Sequence, residues 1–160
     1  MSEFNLQTKI QQKGKIYSGF PGVGKSSYTA RLAMDIDSTH YRWSVLPIDN
    51  IRGEHNPEWP ENYLVNIKLF ASFITVPIFV SSHKKVRDGL VAADLEFTLV
   101  FPYRSLKNEY MHRYQKRGSN EQFLLFMDTL WDEMIDSCYA QNHCNKIILY
   151  SEQYLSDVII

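Results

Sequence analysis

Cysteine is scarce in this sequence. Cys138 and Cys144 are the only two among 160 residues, and they stand six positions apart without a second pair or a histidine cluster beside them. That excludes a disulfide framework and a zinc motif, and it points to reduced thiols in a cytosolic protein. An excess of one charge sign is missing too. Seventeen Lys and Arg against 18 Asp and Glu leave a net −1, so no global basic field draws in nucleic acid, although a local basic groove survives that arithmetic. Long apolar runs are also absent: the stretch over residues 75–80 is far short of the ~20 residues a membrane span needs, and the first residues lack a signal-type apolar stretch. We therefore expect a cytoplasmic location and no membrane partner. Glycine is sparse at seven residues, yet Gly19, Gly22 and Gly24 fall within six positions of one another.

What is present fits one globular domain over residues 1–160, with 44% hydrophobic and 22% charged residues. Residues 1–13 are polar with scattered apolar positions and read as an N-terminal arm or short helix. A strand is expected at 15–18, a glycine-rich turn after it, and a helix over about 25–33, which lacks Gly and Pro. The MDID segment at 34–37 reads as a second strand, and alternation puts Asp35 and Asp37 on one face of it. Prolines 47, 57 and 60 with Gly53 mark residues 44–60 as a long loop or lid-like excursion. Pro60 suits the start of a helix running through Phe70. Strands are expected again at 74–81, 97–101 and 146–150, where unbroken apolar runs suit parallel strands covered on both faces. Helices are expected at 83–92, at 105–117 ending before Gly118, and at 120–140, where Phe123, Phe126, Met127, Leu130, Trp131 and Met134 form a core stripe. Residues 152–160 form a short tail. Strands alternating with helices imply an α/β fold, a mostly parallel five-stranded sheet in a three-layer sandwich.

Residues 19–26, GFPGVGKS, satisfy the phosphate-loop pattern G-x-x-x-x-G-K-[ST] and lie between an apolar strand and an expected helix. Glycines let successive backbone N–H groups turn inward around an oxyanion, and a following helix would add its positive dipole end. Gly19, Gly22, Val23, Gly24, Lys25, Ser26 and Ser27 are the candidate nucleotide-binding residues. Lys25 is expected to reach the β and γ phosphates of ATP or GTP, and Ser26 to place its hydroxyl on Mg²⁺.

With these residues in view, the chain resembles the P-loop kinases of small molecules and nucleotides, in particular short nucleotide-kinase-like proteins of bacteriophages. The likeness rests on GFPGVGKSSYTARL, on DID, on VPIFVSSHKKVRDGL and on LKNEYMHRYQKRG. It implies a P-loop NTPase sheet of order 2-3-1-4-5, with residues 15–18 central, and a location in the host cytoplasm if phage-encoded. Asp35 and Asp37 resemble the D-x-D pair of metabolite kinases, in which the first carboxylate assists Mg²⁺ and the second faces the acceptor. Asp35 then substitutes for the acidic residue that is usual after the third strand, because VPIFVSS ends without one.

A hydroxyl acceptor needs its proton removed, which suits Asp37 as a general base, whereas a phosphate acceptor is already ionised and needs cations. The alternative for the pair is a solvated strand end. His83 is either an acceptor contact or a helix cap, and Arg87 either grips an acceptor phosphate or is an ordinary surface arginine. Arg113 and Arg117 are four apart on one helix face and can converge on one anion, which gives about 104–120 the look of a kinase lid; the alternative is a solvated helix with a Glu109–Arg113 pair. Trp43, Trp59, Tyr63 and Phe70 flank the excursion, and Trp43 or Tyr63 can stack an acceptor base or pin the loop to the core.

Three functions are expected to compete. The first is an ATP-dependent kinase of nucleoside or deoxynucleoside monophosphates. The second is a kinase of a hydroxyl on a nucleoside, a metabolite or a polynucleotide 5′ end, the one place for nucleic acid. The third is a nucleotide-binding regulatory or interaction module with slow ATPase activity. The sequence is compatible with a monomer or a homodimer.

Overall fold

Apolar runs too short to span a domain as helices become the strands of one parallel sheet. In the computed structural model, which describes residues 11–28, 32–47 and 53–159, these are β1 (Ile16–Gly19), β2 (Met34–Asp35), β5 (Ile78–Ser81), β6 (Phe97–Pro102) and β7 (Asn145–Leu149). The four consecutive residues of β5 are all buried, so both faces of that strand are covered. Every pairing is parallel, and the order is β2-β5-β1-β6-β7 with β1 at the centre. This numbering differs from the expected 2-3-1-4-5, because two further strands intervene in the chain. They are β3 (Trp43–Val45) and β4 (Glu54–His55), which pair antiparallel as a separate hairpin. Counted among themselves, the strands of the large sheet run second, third, first, fourth, fifth.

The helices are α1 (Thr39–Arg42), α2 (Glu61–Phe73), α3 (Lys84–Ala92), α4 (Lys107–Lys116), α5 (Glu121–Ala140) and α6 (Leu155–Val158), with a 3₁₀ turn at Arg104–Leu106 leading into α4. Helix α2 buries Tyr63, Ile67 and Ala71 at four-residue spacing. Helix α5 starts where the Asn120 side chain accepts the Phe123 N–H, and it buries Met127, Trp131, Ile135 and Cys138. Phe126, expected in that stripe, is 50% exposed, because it falls on the flank of the face that Met127 and Trp131 define.

The helix expected over 25–33 is not formed at 25–28 or 32–33, which are turns and irregular backbone; residues 29–31 lie outside the described residues. Ser26 and Ser27 compete for backbone bonds at the start of this stretch, and β2 begins at Met34 directly after it. The excursion at 44–60 is shorter than expected, since β3 and β4 fold part of it into a hairpin; residues 48–52 and the first ten residues of the expected arm lie outside the described residues. No helix among the described residues is long and apolar enough to cross a membrane.

Candidate functional site

Strand β1 delivers the glycine loop to the carboxyl end of the sheet, where parallel α/β folds gather their ligand-binding groups. Gly22 and Gly24 take φ of +90° and +96°, a region L side chains rarely adopt. A Cβ on Gly22 would lie 2.9 Å from the Tyr114 ring, and one on Gly24 would lie 3.1 Å from the Tyr154 ring. Phe20 and Val23, the apolar residues of the loop, are fully buried and anchor it; Phe20 packs edge-on against Trp131 at 5.3 Å.

Lys25 folds back so that its ammonium donates to the Gly19 carbonyl. Burial brings its pKa down to about 8, Asp35 and Asp37 pull it up, and the Arg117 charge pushes it further down. Asp35, at the end of β2, has its pKa raised above the ordinary value chiefly by partial desolvation of its carboxyl, against the pull of Lys25. Ser26 and Ser27 are exposed in the turn after Lys25. These donors fit Mg²⁺, which keeps most of its waters and takes one or two protein oxygens alongside phosphate oxygens; Ser26 and Asp35 are the residues that would hold it. Among the described residues no three His, Cys, Asp or Glu side chains gather into an all-protein metal cage.

Asp37 lies beyond β2 and not on its face, so the two carboxylates do not share a strand surface as alternation implied. One Asp37 oxygen accepts the Thr39 N–H at 2.8 Å and the Thr39 hydroxyl at 2.6 Å, starting α1. Burial acts to raise its pKa, but these bonds together with His40 and Lys25 outweigh it and hold the carboxyl below its usual range.

Tyr63 is fully buried: its hydroxyl donates to the Ile36 carbonyl and accepts the Ser81 N–H at 3.1 Å. It ties the backbone between Asp35 and Asp37 to the end of β5, and it offers no open face to an acceptor base. His83 precedes α3, with one ring nitrogen 2.9 Å from the Ser81 hydroxyl and the ring edge-on to Trp59 at 5.5 Å. Burial, with Arg42, Lys25 and Arg87 nearby, lowers its pKa to about 4, so it is neutral at pH 7. Trp43 is stacked on His55 at 4.1 Å, which occupies a ring face that sequence reasoning left open.

Arg87 is the clearest correction among the expected acceptor contacts. It is 3% exposed, and it donates to the Ser82 and Ser137 carbonyls, the Ser137 hydroxyl and the Gln141 side chain. It joins α3 to the end of α5 and has no free edge for an acceptor.

Helix α4 lies directly on the glycine loop, with Tyr110 and Tyr114 buried and the Tyr114 hydroxyl donating to the Pro21 carbonyl at 2.7 Å. Arg113 and Arg117 do not converge on one point. Arg113 donates to the Gly22 carbonyl, the Gln153 carbonyl and Glu109, with its guanidinium over the rings of Tyr110 and Tyr154 at 4.3 and 3.9 Å. Glu109 in turn accepts from the Ser151 hydroxyl and the Glu152 N–H, and the Leu155 N–H donates to the Val23 carbonyl. Arg117 is exposed, lies over Tyr114 and Phe123, bonds Ser119 and contributes its charge at Lys25.

Sequence reasoning missed Tyr154 and Arg42, whereas the Glu109–Arg113 pair was one of its two alternatives for α4 and is formed. The turn after the last strand carries no motif, and only its position at the same sheet end as the glycine loop could have drawn attention to it. Arg42 had a visible signal in its place between Tyr41 and Trp43, five residues after Asp37. No protein-family model, curated protein or solved structure matches this chain.

Proposed function

We propose that this chain is a phosphotransferase that holds the triphosphate of Mg-ATP, or of GTP, on the loop of residues 19–26 and passes the γ-phosphoryl group to a small acceptor. The observation that carries this reading is Lys25. Its ammonium sits at the end of the central strand, bonded to one backbone carbonyl, and burial lowers its pKa to about 8 while leaving it charged at neutral pH. Such a cation is a poor structural element and a good receptor for an anion, since phosphate oxygens would offset the desolvation that the free protein bears. The positive φ of Gly22 and Gly24 supports the same reading, because loops of this kind turn N–H groups toward oxyanions.

In the proposed reaction Lys25 neutralises charge on the β and γ phosphates, and Arg117 adds a second cation as the phosphoryl group moves. Ser26 and Asp35 are the residues that would hold Mg²⁺, which would neutralise charge on the phosphate oxygens. The bond from γ-phosphorus to the β–γ bridging oxygen breaks, ADP leaves, and an acceptor oxygen forms the new bond. A hydroxyl acceptor requires a base, and Asp37 is a weak one, because one of its oxygens accepts two bonds from Thr39 and its proton affinity is below normal.

Product analysis with Mg-ATP and a panel of nucleosides, nucleotides and polyols tests the proposal. We expect ADP formation that depends on an acceptor and disappears in a folded Lys25→Ala protein, while Asp37→Asn keeps turnover within about tenfold, below the usual cost of losing a base. Normal turnover by Lys25→Ala would overturn the assignment. ATP hydrolysis that no acceptor stimulates would favour a regulatory module instead.

A further inference from the structure

We infer that the acceptor is a phosphate monoester and that Arg42 receives its phosphate; this rests on the phosphotransferase reading above. Arg42 ends α1, a few residues beyond Asp35 and Asp37, and is half-buried. Its guanidinium lies over two indoles, 5.7 Å from the Trp43 ring centre and 5.9 Å from that of Trp59. Trp59 is edge-on to His83, whose ring feels the charges of both Arg42 and Lys25. Arg42 and Lys25 therefore both bring positive charge to His83, at the start of α3.

Comparison with the other described arginines isolates Arg42. Arg87 directs its donors to the Ser82, Ser137 and Gln141 acceptors, Arg104 pairs with Asp132 and Asp136, Arg113 pairs with Glu109, and Arg117 bonds Ser119. Arg42 has neither a hydrogen bond nor a salt bridge from its side chain to any described residue, although burial already disfavours its charge. A partly desolvated cation without an anion is costly to keep. The two indoles hold the guanidinium by cation–π contact, which takes up none of its N–H donors, and those donors have no acceptor among the described residues. Planar N–H edges match a phosphate in a two-point contact.

The same geometry selects phosphate over a carboxylate-bearing alcohol. An ionised phosphate oxygen attacks without a base, so the lowered proton affinity of Asp37 is no obstacle. The acceptor oxygen forms the bond to γ-phosphorus as the bond to the bridging oxygen breaks, ADP departs, and no proton need move when the acceptor enters as a dianion. The product is a diphosphate monoester. Trp43 and Trp59 are thereby assigned as residues that position Arg42, in place of the base-stacking role expected of Trp43.

The test uses 5′-monophosphates of the common ribo- and deoxyribonucleosides, ribose 5-phosphate, and the matching nucleosides and ribose, with Mg-ATP as donor. We expect transfer to one or more monophosphates and none to the unphosphorylated partners. Arg42→Met should raise the acceptor KM by about 10–100-fold, the scale of a lost charge-assisted pair, with Arg42→Lys recovering part of it. Equilibrium affinity for Mg-ATP should stay within about twofold in both variants, which also shows that they are folded. Transfer to nucleosides as efficient as to monophosphates, or an unchanged acceptor KM in Arg42→Met, would overturn this inference and leave the phosphotransferase reading standing. Mg-ATP binding by the wild type with transfer to neither set would overturn both.

Discussion

Lys25 joins stability and function in one side chain. Its pKa is about 8 in the folded chain against an ordinary 10.5, so between those values the unfolded chain carries a proton that the folded one has lost. Stability of the free protein therefore rises with pH through that window, and below about pH 8 the buried ammonium costs the fold. Lys25→Met is expected to melt higher than the wild type at pH 7, with the advantage shrinking as the pH climbs toward 10, and to lose the stabilisation that Mg-ATP gives. Calorimetric melting at pH 7 and pH 10, with and without Mg-ATP, checks both parts. A Lys25→Met protein less stable than the wild type at pH 7 would mean that the methylene stem matters more than the charge.

At the scale of elements, α4 and the turn before α6 form a clasp over the glycine loop. Arg113 is its centre: it bonds backbone on both sides, packs between two tyrosines, and is paired with Glu109, which holds the turn at Ser151 and Glu152. Arg117 is one turn further along α4 and exposed, yet its charge reaches Lys25. Two arginines four apart are therefore placed differently, Arg113 bonded to the loop and Arg117 exposed near Lys25, where under the proposed function it would face the transferred group. Arg113→Ala should lower the melting temperature and weaken Mg-ATP binding by about tenfold or more, since a partly buried, multiply bonded charge is removed. Arg117→Ala should leave melting unchanged and lower kcat by about 10³-fold, as loss of a cation acting on the phosphoryl group does elsewhere. Equal effects of both substitutions on stability and kcat would contradict this division.

For the whole molecule, a ligand that binds the native state alone raises stability by mass action. Mg-ATP at a hundred times its Kd contributes about 2.7 kcal/mol, which for a domain of this size corresponds to a melting shift of about 5–10 °C. The glycine loop is tied through α4 and the α6 segment to opposite parts of the chain, so the gain should appear as one cooperative transition. A scanning calorimetry trace in which Mg-ATP moves no transition would count against nucleotide binding altogether.

The repeating local features of this protein were decided along the chain. Unbroken apolar runs such as residues 78–81 specify buried parallel strands, four-residue spacing specifies the inner faces of α2 and α5, and the glycines at 22 and 24 specify a turn that other residues resist. Each depends on a period or a backbone angle, and both are properties of neighbours in sequence. The tertiary structure alone decided which polar side chains are free. Arg87 and Arg42 look alike in the sequence, but the crossing of α3 over the end of α5 satisfies Arg87, whereas the guanidinium contacts of Arg42 with described residues are with the rings of Trp43 and Trp59. Arg113 read as half of a converging pair or as one end of an ion pair with Glu109, until the turn at Gln153 closed on it. The deciding partners of Arg87 and Arg113 come from segments tens of residues away, and no periodicity records which of them arrives.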